Sequence, residues 1–292
     1  MRRFGQERAS VIREVRSMNR FNSIRHQILL FLIVAFIGGC GNSVNELVRY
    51  ADKNKSLELD LANGIITRIT IRKKNSLQYS LDRISALGKC HTIDLVGLSL
   101  AADEFEPFSK LPIHSLHMTD CRMTPEAKSL ISKMEKLTRL DILVPFVGDQ
   151  IFKDAIKEDP HRAEMEISDS DLEQLSRLPH LEQLDLGNHR GLTGVGFRAW
   201  DPNCALRRLD LYGSGITDNG IKEISRFSEL RRLTLNHSFV TSDGLLVLAR
   251  IESLYGPSVW VDDMKDFAIR YNAAYKKHHP EQLIVPFISH LK

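Results

Sequence analysis

Two stretches of this chain repeat one another at a fixed interval, and that interval leaves few folds open. Leu206-Arg-Arg-Leu209-Asp-Leu211 recurs 24 residues later as Leu230-Arg-Arg-Leu233-Thr-Leu235, and Ile216-Thr-Asp-Asn-Gly220 recurs as Val240-Thr-Ser-Asp-Gly244. Self-similarity at a period of about 20 to 50 residues marks architectures in which one short unit is stacked on the next. Each unit then buries its apolar face only against its neighbours.

The same row extends upstream. Its first apolar position falls at Ile66, Cys90, Ile113, Leu137, Leu181, Leu206, Leu230 and Leu254, at intervals of 24, 23, 24, 44, 25, 24 and 24. The fourth and sixth positions (Ile69/Ile71, Ile93/Leu95, Leu116/Met118, Leu140/Ile142, Leu184/Leu186, Leu209/Leu211, Leu233/Leu235) lie two apart, so they share one face of a short strand. Apolar residues every third position (Leu81, Ile84, Leu87; Leu172, Leu175, Leu178; Ile221, Ile224, Phe227; Leu245, Leu248, Ile251) predict a helix in the second half of each row. Thr124, Ser168, Thr193, Thr217 and Thr241 stand just before these helices, where a hydroxyl can accept from the free N–H groups of the first turn. Pro125 takes the position after the cap, which favours proline.

The row L-x-x-L-x-L-x-x-(N/C)-x-L over about residues 57 to 260 resembles the leucine-rich repeat. With I-T-D-x-G after the strand, it is closest to the cysteine-containing type. The departure is at the N/C position, where Cys121 stands but Ser214 and Ser238 replace it. The resemblance implies an α/β solenoid: a right-handed arc or horseshoe with a parallel sheet on its concave face and helices on its convex face.

The N-terminus reads as a leader. Arg13, Arg16, Arg20 and Arg25 precede the apolar run 28–37, which is shorter than the roughly 20 residues a spanning helix needs and suits a signal-peptide core. It ends in Ile37-Gly38-Gly39-Cys40, which resembles the bacterial lipoprotein box, with Cys40 as the lipidated residue. An uncleaved anchor with a chance cysteine is the alternative, and either Met1 or Met18 serves as the start. By the same resemblance, Gly41 in place of Asp implies the outer membrane. Residues 1–39 are thus expected to be a signal peptide and 40–56 a polar tether. Residues 57–260 form the repeat domain and 261–292 a C-terminal cap. Leu57, Leu59 and Leu61 alternate ahead of Asn63-Gly64, which predicts a hairpin covering the first row. Met264, Phe267, Ala268, Tyr271 and Tyr275 place a cap helix over Asp262 to Lys277, with Pro280 beyond it.

One excess breaks the rhythm, at 143–166 in the interval between Leu137 and Leu181. Ile151, Phe152, Ala155 and Ile156 would make an apolar helical stripe there. Insertions in such arrays map to one rim and often bind; a decayed repeat or passive flap is the other reading.

Catalytic motifs are absent: there is no H-E-x-x-H, C-x-x-C, phosphate-binding loop or G-x-S-x-G. Gly187, Gly191, Gly194 and Gly196 fall in row register and read as turn glycines. Cys90 and Cys121 are too far apart along the rows to pair and read as buried thiols. The formal charge of +3 comes from the leader: residues 1–39 hold seven Arg and two Glu, leaving 33 basic and 35 acidic residues, a net of −2. No nucleic-acid partner is implied.

The outward positions of the strands carry the polar chemistry. Position 5 reads Thr70, Asp94, His117, Asp141, Asp185, Asp210, Thr234; position 3 reads Arg68, Thr92, Ser115, Arg139, Gln183, Arg208, Arg232. Asp94, His117 and Asp141 on adjacent strands could hold a metal for a metal-dependent enzyme, or form an ion-pair mosaic with the arginine column. Arg208, Arg232, Tyr212, Asp185 and Asp210 suit recognition, since Arg and Tyr are typical interface anchors. The expectation is therefore a non-catalytic protein–protein recognition or scaffolding protein, lipid-anchored in a bacterial envelope. It needs no cofactor, metal or small-molecule substrate. The alternatives are a substrate-recognition adaptor like those of ubiquitin ligases, although no F-box fits before residue 57, and the metal-dependent enzyme.

Overall fold

The computed structural model describes residues 41–83, 87–145, 162–236, 238–254, 257–259 and 264–281 of the 292-residue chain. The leader, Cys40 and the apolar stripe expected at 151–156 lie outside these residues.

Strands form where the rows place them. β1 (Leu57–Ala62) and β2 (Ile65–Ile71) make an antiparallel hairpin around Asn63 (φ 52°) and Gly64 (φ 74°). Two successive left-handed residues match the right-handed twist of the flanking strands, which is why Asn-Gly serves here. β2 then pairs in parallel with β3 (Thr92–Val96), and the sheet continues through β5 (Ser115–Thr119), β7 (Arg139–Leu143), β8 (Gln183–Asp185), β9 (Arg208–Asp210) and β10 (Arg232–Thr234). Among the described residues these make eight strands stacked in sequence order. β4 (Ser99–Leu100) and β6 (Arg122–Met123) form a separate short pair.

Register follows the sequence rows residue for residue. Arg68 pairs with Thr92, Thr92 with Ser115, Ser115 with Arg139, Arg139 with Gln183, Gln183 with Arg208, and Arg208 with Arg232. Arg139 and Gln183 are 44 residues apart yet register partners, so the excess does not shift the register. The fourth- and sixth-position residues are all at most 2% exposed and belong to one apolar cluster with the buried faces of the helices. The architecture is α/β: a mostly parallel sheet, one face packed on helices and the other open.

The helices start at their predicted caps with one exception. Thr124, Ser168, Thr217 and Thr241 accept from Ala127, Asp171, Gly220 and Gly244 N–H respectively. Thr193 does not cap. Its row has a 3-10 turn, Val195–Ala199, entered through Gly194 at φ 87°, and the Thr193 hydroxyl donates to Asp169 Oδ2 at 2.7 Å instead. A Cβ on Gly196 would stand 2.3 Å from the Asp169 carbonyl oxygen, so this row lies directly against its predecessor and its turn is tightened.

The expected tether is a correction at 41–53. Gly41–Lys53 is a helix, α1, in which Leu47 is 0% exposed and Val44, Tyr50 and Ala51 pack on the core. Their three- and four-residue spacing is an amphipathic stripe that a polar average conceals. Tyr50 stacks on Tyr79 at 3.9 Å, and Arg83 Nε reaches Glu46 at 2.7 Å. At the other end, Met264–His278 is helical as expected, burying Phe267, Ala268, Tyr271 and Tyr275. Cys90 and Cys121 are buried free thiols, each pushed up to about 11 by burial.

Candidate functional site

Side chains at positions 3 and 5 point away from the helices, so the open face carries two parallel columns. Toward the N-terminal end these columns are internally paired. Arg68 donates through Nε and Nη2 to the two Asp94 oxygens, the second bond at 3.0 Å, and Thr70 Oγ1 adds 2.9 Å to Oδ2. Arg139 Nη2 reaches Asp141 Oδ2 at 2.8 Å, and His117 Nδ1 reaches the same oxygen at 2.7 Å. Burial opposes ionisation of Asp141, but the hydrogen bonds from His117 and Arg139 outweigh it and hold the carboxyl below its ordinary range. Asp94 and Asp141 are 8% and 7% exposed; a carboxylate that far from water needs such partners.

The sequence thus brings Asp94, His117 and Asp141 onto neighbouring strands, but their lone pairs are spent on arginine, threonine and one another. Among the described residues no group of three His, Cys, Asp or Glu could hold a metal ion. The mosaic reading describes this end. A polar cleft of about 350 Å³ lies beside it, with Arg68, Arg72, Asp60 and His117 among its lining.

Toward β9 and β10 the pattern changes. Arg208 and Arg232 are register partners and both exposed. Asp185 and Asp210 are likewise paired across β8 and β9. Yet neither arginine lies within salt-bridge distance of a carboxylate among the described residues, so the expectation that Asp185 and Asp210 orient them is corrected. Arg139-x-Asp141 and Arg208-x-Asp210 have the same spacing, but Asp141 bonds Arg139, whereas Asp210 Oδ1 accepts the Tyr212 backbone N–H at 3.1 Å. Asp185 has two carboxylate neighbours on its column. Burial first, then Asp210 and Asp141, push its carboxyl up to about 7, with the Gly187 amide and Arg208 opposing. Tyr212 is half-buried at the end of the same strand row, its carbonyl accepting from Asn188 N at 2.7 Å.

His189 was missed in the sequence. It stands eight residues after Leu181, the position Cys121 and Ser214 occupy in their rows. All three side chains bond the position-6 carbonyl of the preceding row: Cys121 Sγ to Leu95 O at 3.3 Å, His189 Nε2 to Ile142 O at 2.7 Å, and Ser214 Oγ to Leu186 O at 2.6 Å. Row register alone would have found it. Around it, the two described ends of the 143–166 insertion are tied to the next row. Asn188 Nδ2 donates to Val144 O at 2.9 Å, Arg162 Nη2 to Asn188 O at 3.2 Å, and Gly191 N to Glu166 Oε2 at 3.0 Å.

No protein-family model and no curated protein matches this chain. Among solved structures, an internalin (inlF) from Listeria monocytogenes is similar at 14% identity and TM-score 0.44, over 78% of this chain and 59% of that one. An internalin C2 from Listeria monocytogenes aligns at 13% and 0.43, over 75% and 93%. The Arabidopsis receptor kinase HAESA, in complex with the peptide hormone IDA and a co-receptor, aligns at 14% and 0.40, over 75% and 42%. The chain therefore spans little more than half the length of the first. All three scores lie below 0.5, and none of these likenesses speaks to function.

Proposed function

We propose that this chain is a lipid-anchored protein of the leucine-rich-repeat type. Its open sheet face recognises a protein partner at a bacterial envelope, and it has no catalysis of its own. The observation that carries the reading is the contrast within one column. Arg68 and Arg139 are clamped to carboxylates, whereas Arg208 and Arg232 have none among the described residues. An arginine already holding a carboxylate has little left to offer a partner. Two unclamped, exposed guanidinium groups on adjacent strands are free to form bidentate bonds, and Tyr212 follows further along the row of Arg208. Asp210 and Asp185, the latter with its carboxyl raised to about 7, extend the surface with acidic groups.

The anchoring half of the proposal rests on the lipoprotein-box resemblance at Ile37 to Cys40, and the envelope location rests on it in turn. Among the described residues no helix is long and apolar enough to cross a membrane. The test begins with cross-linking in the native membrane to identify a partner. Arg208→Glu combined with Arg232→Glu should then weaken binding at least about tenfold, roughly 1.4 kcal/mol, with circular dichroism and melting midpoint unchanged. Unaltered affinity with an intact fold would move the surface elsewhere, first to the 143–166 insertion.

A further inference from the structure

The unclamped arginines are half of a larger block. Arg207 and Arg231 immediately precede Arg208 and Arg232, and both are exposed. The backbone holds the two pairs in step: Arg207 and Arg208 N–H both bond Glu182 O, at 2.8 and 3.0 Å, and Arg231 and Arg232 N–H both bond Arg207 O, at 2.9 and 3.0 Å. Side chains of consecutive residues diverge, so Arg208 and Arg232 lie on the open face while Arg207 and Arg231 line the rim where the chain enters the strands. Against these four cations stands one contacting carboxylate among the described residues, Glu182, 3.8 Å from Arg207 Nη1.

We infer that Arg207, Arg208, Arg231 and Arg232 form a two-by-two cradle that reads a short acidic segment, two or more clustered carboxylates, on the partner protein. The inference rests on the recognition surface proposed above and names the chemistry it takes. Charge complementarity supplies the attraction, and the planar guanidinium fork supplies the geometry for carboxylate pairs. The limit on length comes from the same sheet. Asp210 and its register partner Asp185 lie two positions beyond the arginine column on β9 and β8, so a continuous polyanion laid across the face would meet acidic side chains, Asp210 first. A short acidic run avoids them.

The test uses the full chain in uncharged detergent at low ionic strength, with fluorescein-labelled hexaglutamate as the probe and hexalysine as the control. Saturable anisotropy with hexaglutamate alone is expected, and it should fall at least tenfold in Arg207→Gln/Arg231→Gln. Arg198→Gln, an exposed arginine paired with Glu173 outside the cradle, should bind as the parent does. Added salt should weaken the complex, because these side chains are exposed. Absent hexaglutamate binding, or binding indifferent to the arginine substitutions in a protein of parental melting midpoint, overturns the inference. Equal binding to phosphatidylglycerol vesicles or to a single-stranded oligonucleotide through the same arginines overturns it too, by making the cradle a general polyanion surface. If the cross-linked partner is lost on Tyr212→Ala while hexaglutamate never binds, the recognition surface stands and the acidic-segment inference alone falls.

Discussion

His189 ties the two sides of the insertion together: its Nε2 donates to the Ile142 carbonyl at 2.7 Å, and its Nδ1 accepts the Ile167 N–H at 2.8 Å. Those two partners define a neutral ring protonated on Nε2. The ring is 0% exposed, and its backbone N–H bonds Ser214 Oγ at 3.0 Å. One side chain therefore satisfies a carbonyl before the insertion and an amide after it.

Replacing this ring should be costly. His189→Leu keeps the volume but leaves Ile142 C=O and Ile167 N–H buried without partners, at about 1–3 kcal/mol each. A loss of about 2–5 kcal/mol is expected in urea unfolding. The parent should also show a pH signature. Burial lowers the folded pKa of His189 to about 4, so between roughly pH 6.5 and 4 the unfolded chain binds the extra proton. Stability should fall as pH drops through that window, and His189→Leu should remove this component of the slope.

Asp185 gives the opposite sign. Its folded pKa is raised to about 7, so the folded state binds the extra proton from the unfolded carboxyl value up to near 7. Its contribution is fully present at low pH and is lost as pH rises toward 7. Asp185→Asn should raise the unfolding midpoint at pH 8 by the equivalent of about 1 kcal/mol, discounted for partial solvation. The gain should shrink by pH 5. A variant no more stable than the parent at pH 8 would contradict this.

Strand phase is tested by neighbours. Leu209 is 0% exposed in the core, and Leu209→Ala should cost about 2–5 kcal/mol through lost burial and a cavity. Asp210 faces outward, holding one backbone N–H. Asp210→Ala should cost at most about 1 kcal/mol. Urea midpoints of the pair decide the matter.

Anchoring is tested at Cys40. Cells expressing Cys40→Ser should release the chain from the membrane fraction or accumulate the unprocessed form. Processing and sedimentation like the parent's would defeat the proposed anchor.

The sequence by itself determined the strand register, the inward leucines and most helix starts. Those are set by one period repeated along the chain: a residue's place in its row dictates which face it meets, so Arg208 had to lie beside Arg232 and Leu209 beneath both. It also marked the end hairpin through Asn63-Gly64, because backbone sign is a local matter. Tertiary structure alone decided three things. Val44, Leu47, Tyr50 and Ala51 carry a helical stripe in the sequence, but that it docks on the end of the core rather than lying in a tether is decided by the apolar surface it meets there. Thr193 abandons its cap because Gly196 must lie against Asp169. Third, identical Arg-x-Asp spacings give a clamped Arg139 and an unclamped Arg208. Sequence spacing is the same in both rows, but how an arginine and a carboxylate on one strand orient their side chains is set by the neighbours around them: His117 and Arg139 converge on Asp141, whereas Asp210 turns one oxygen to the Tyr212 amide.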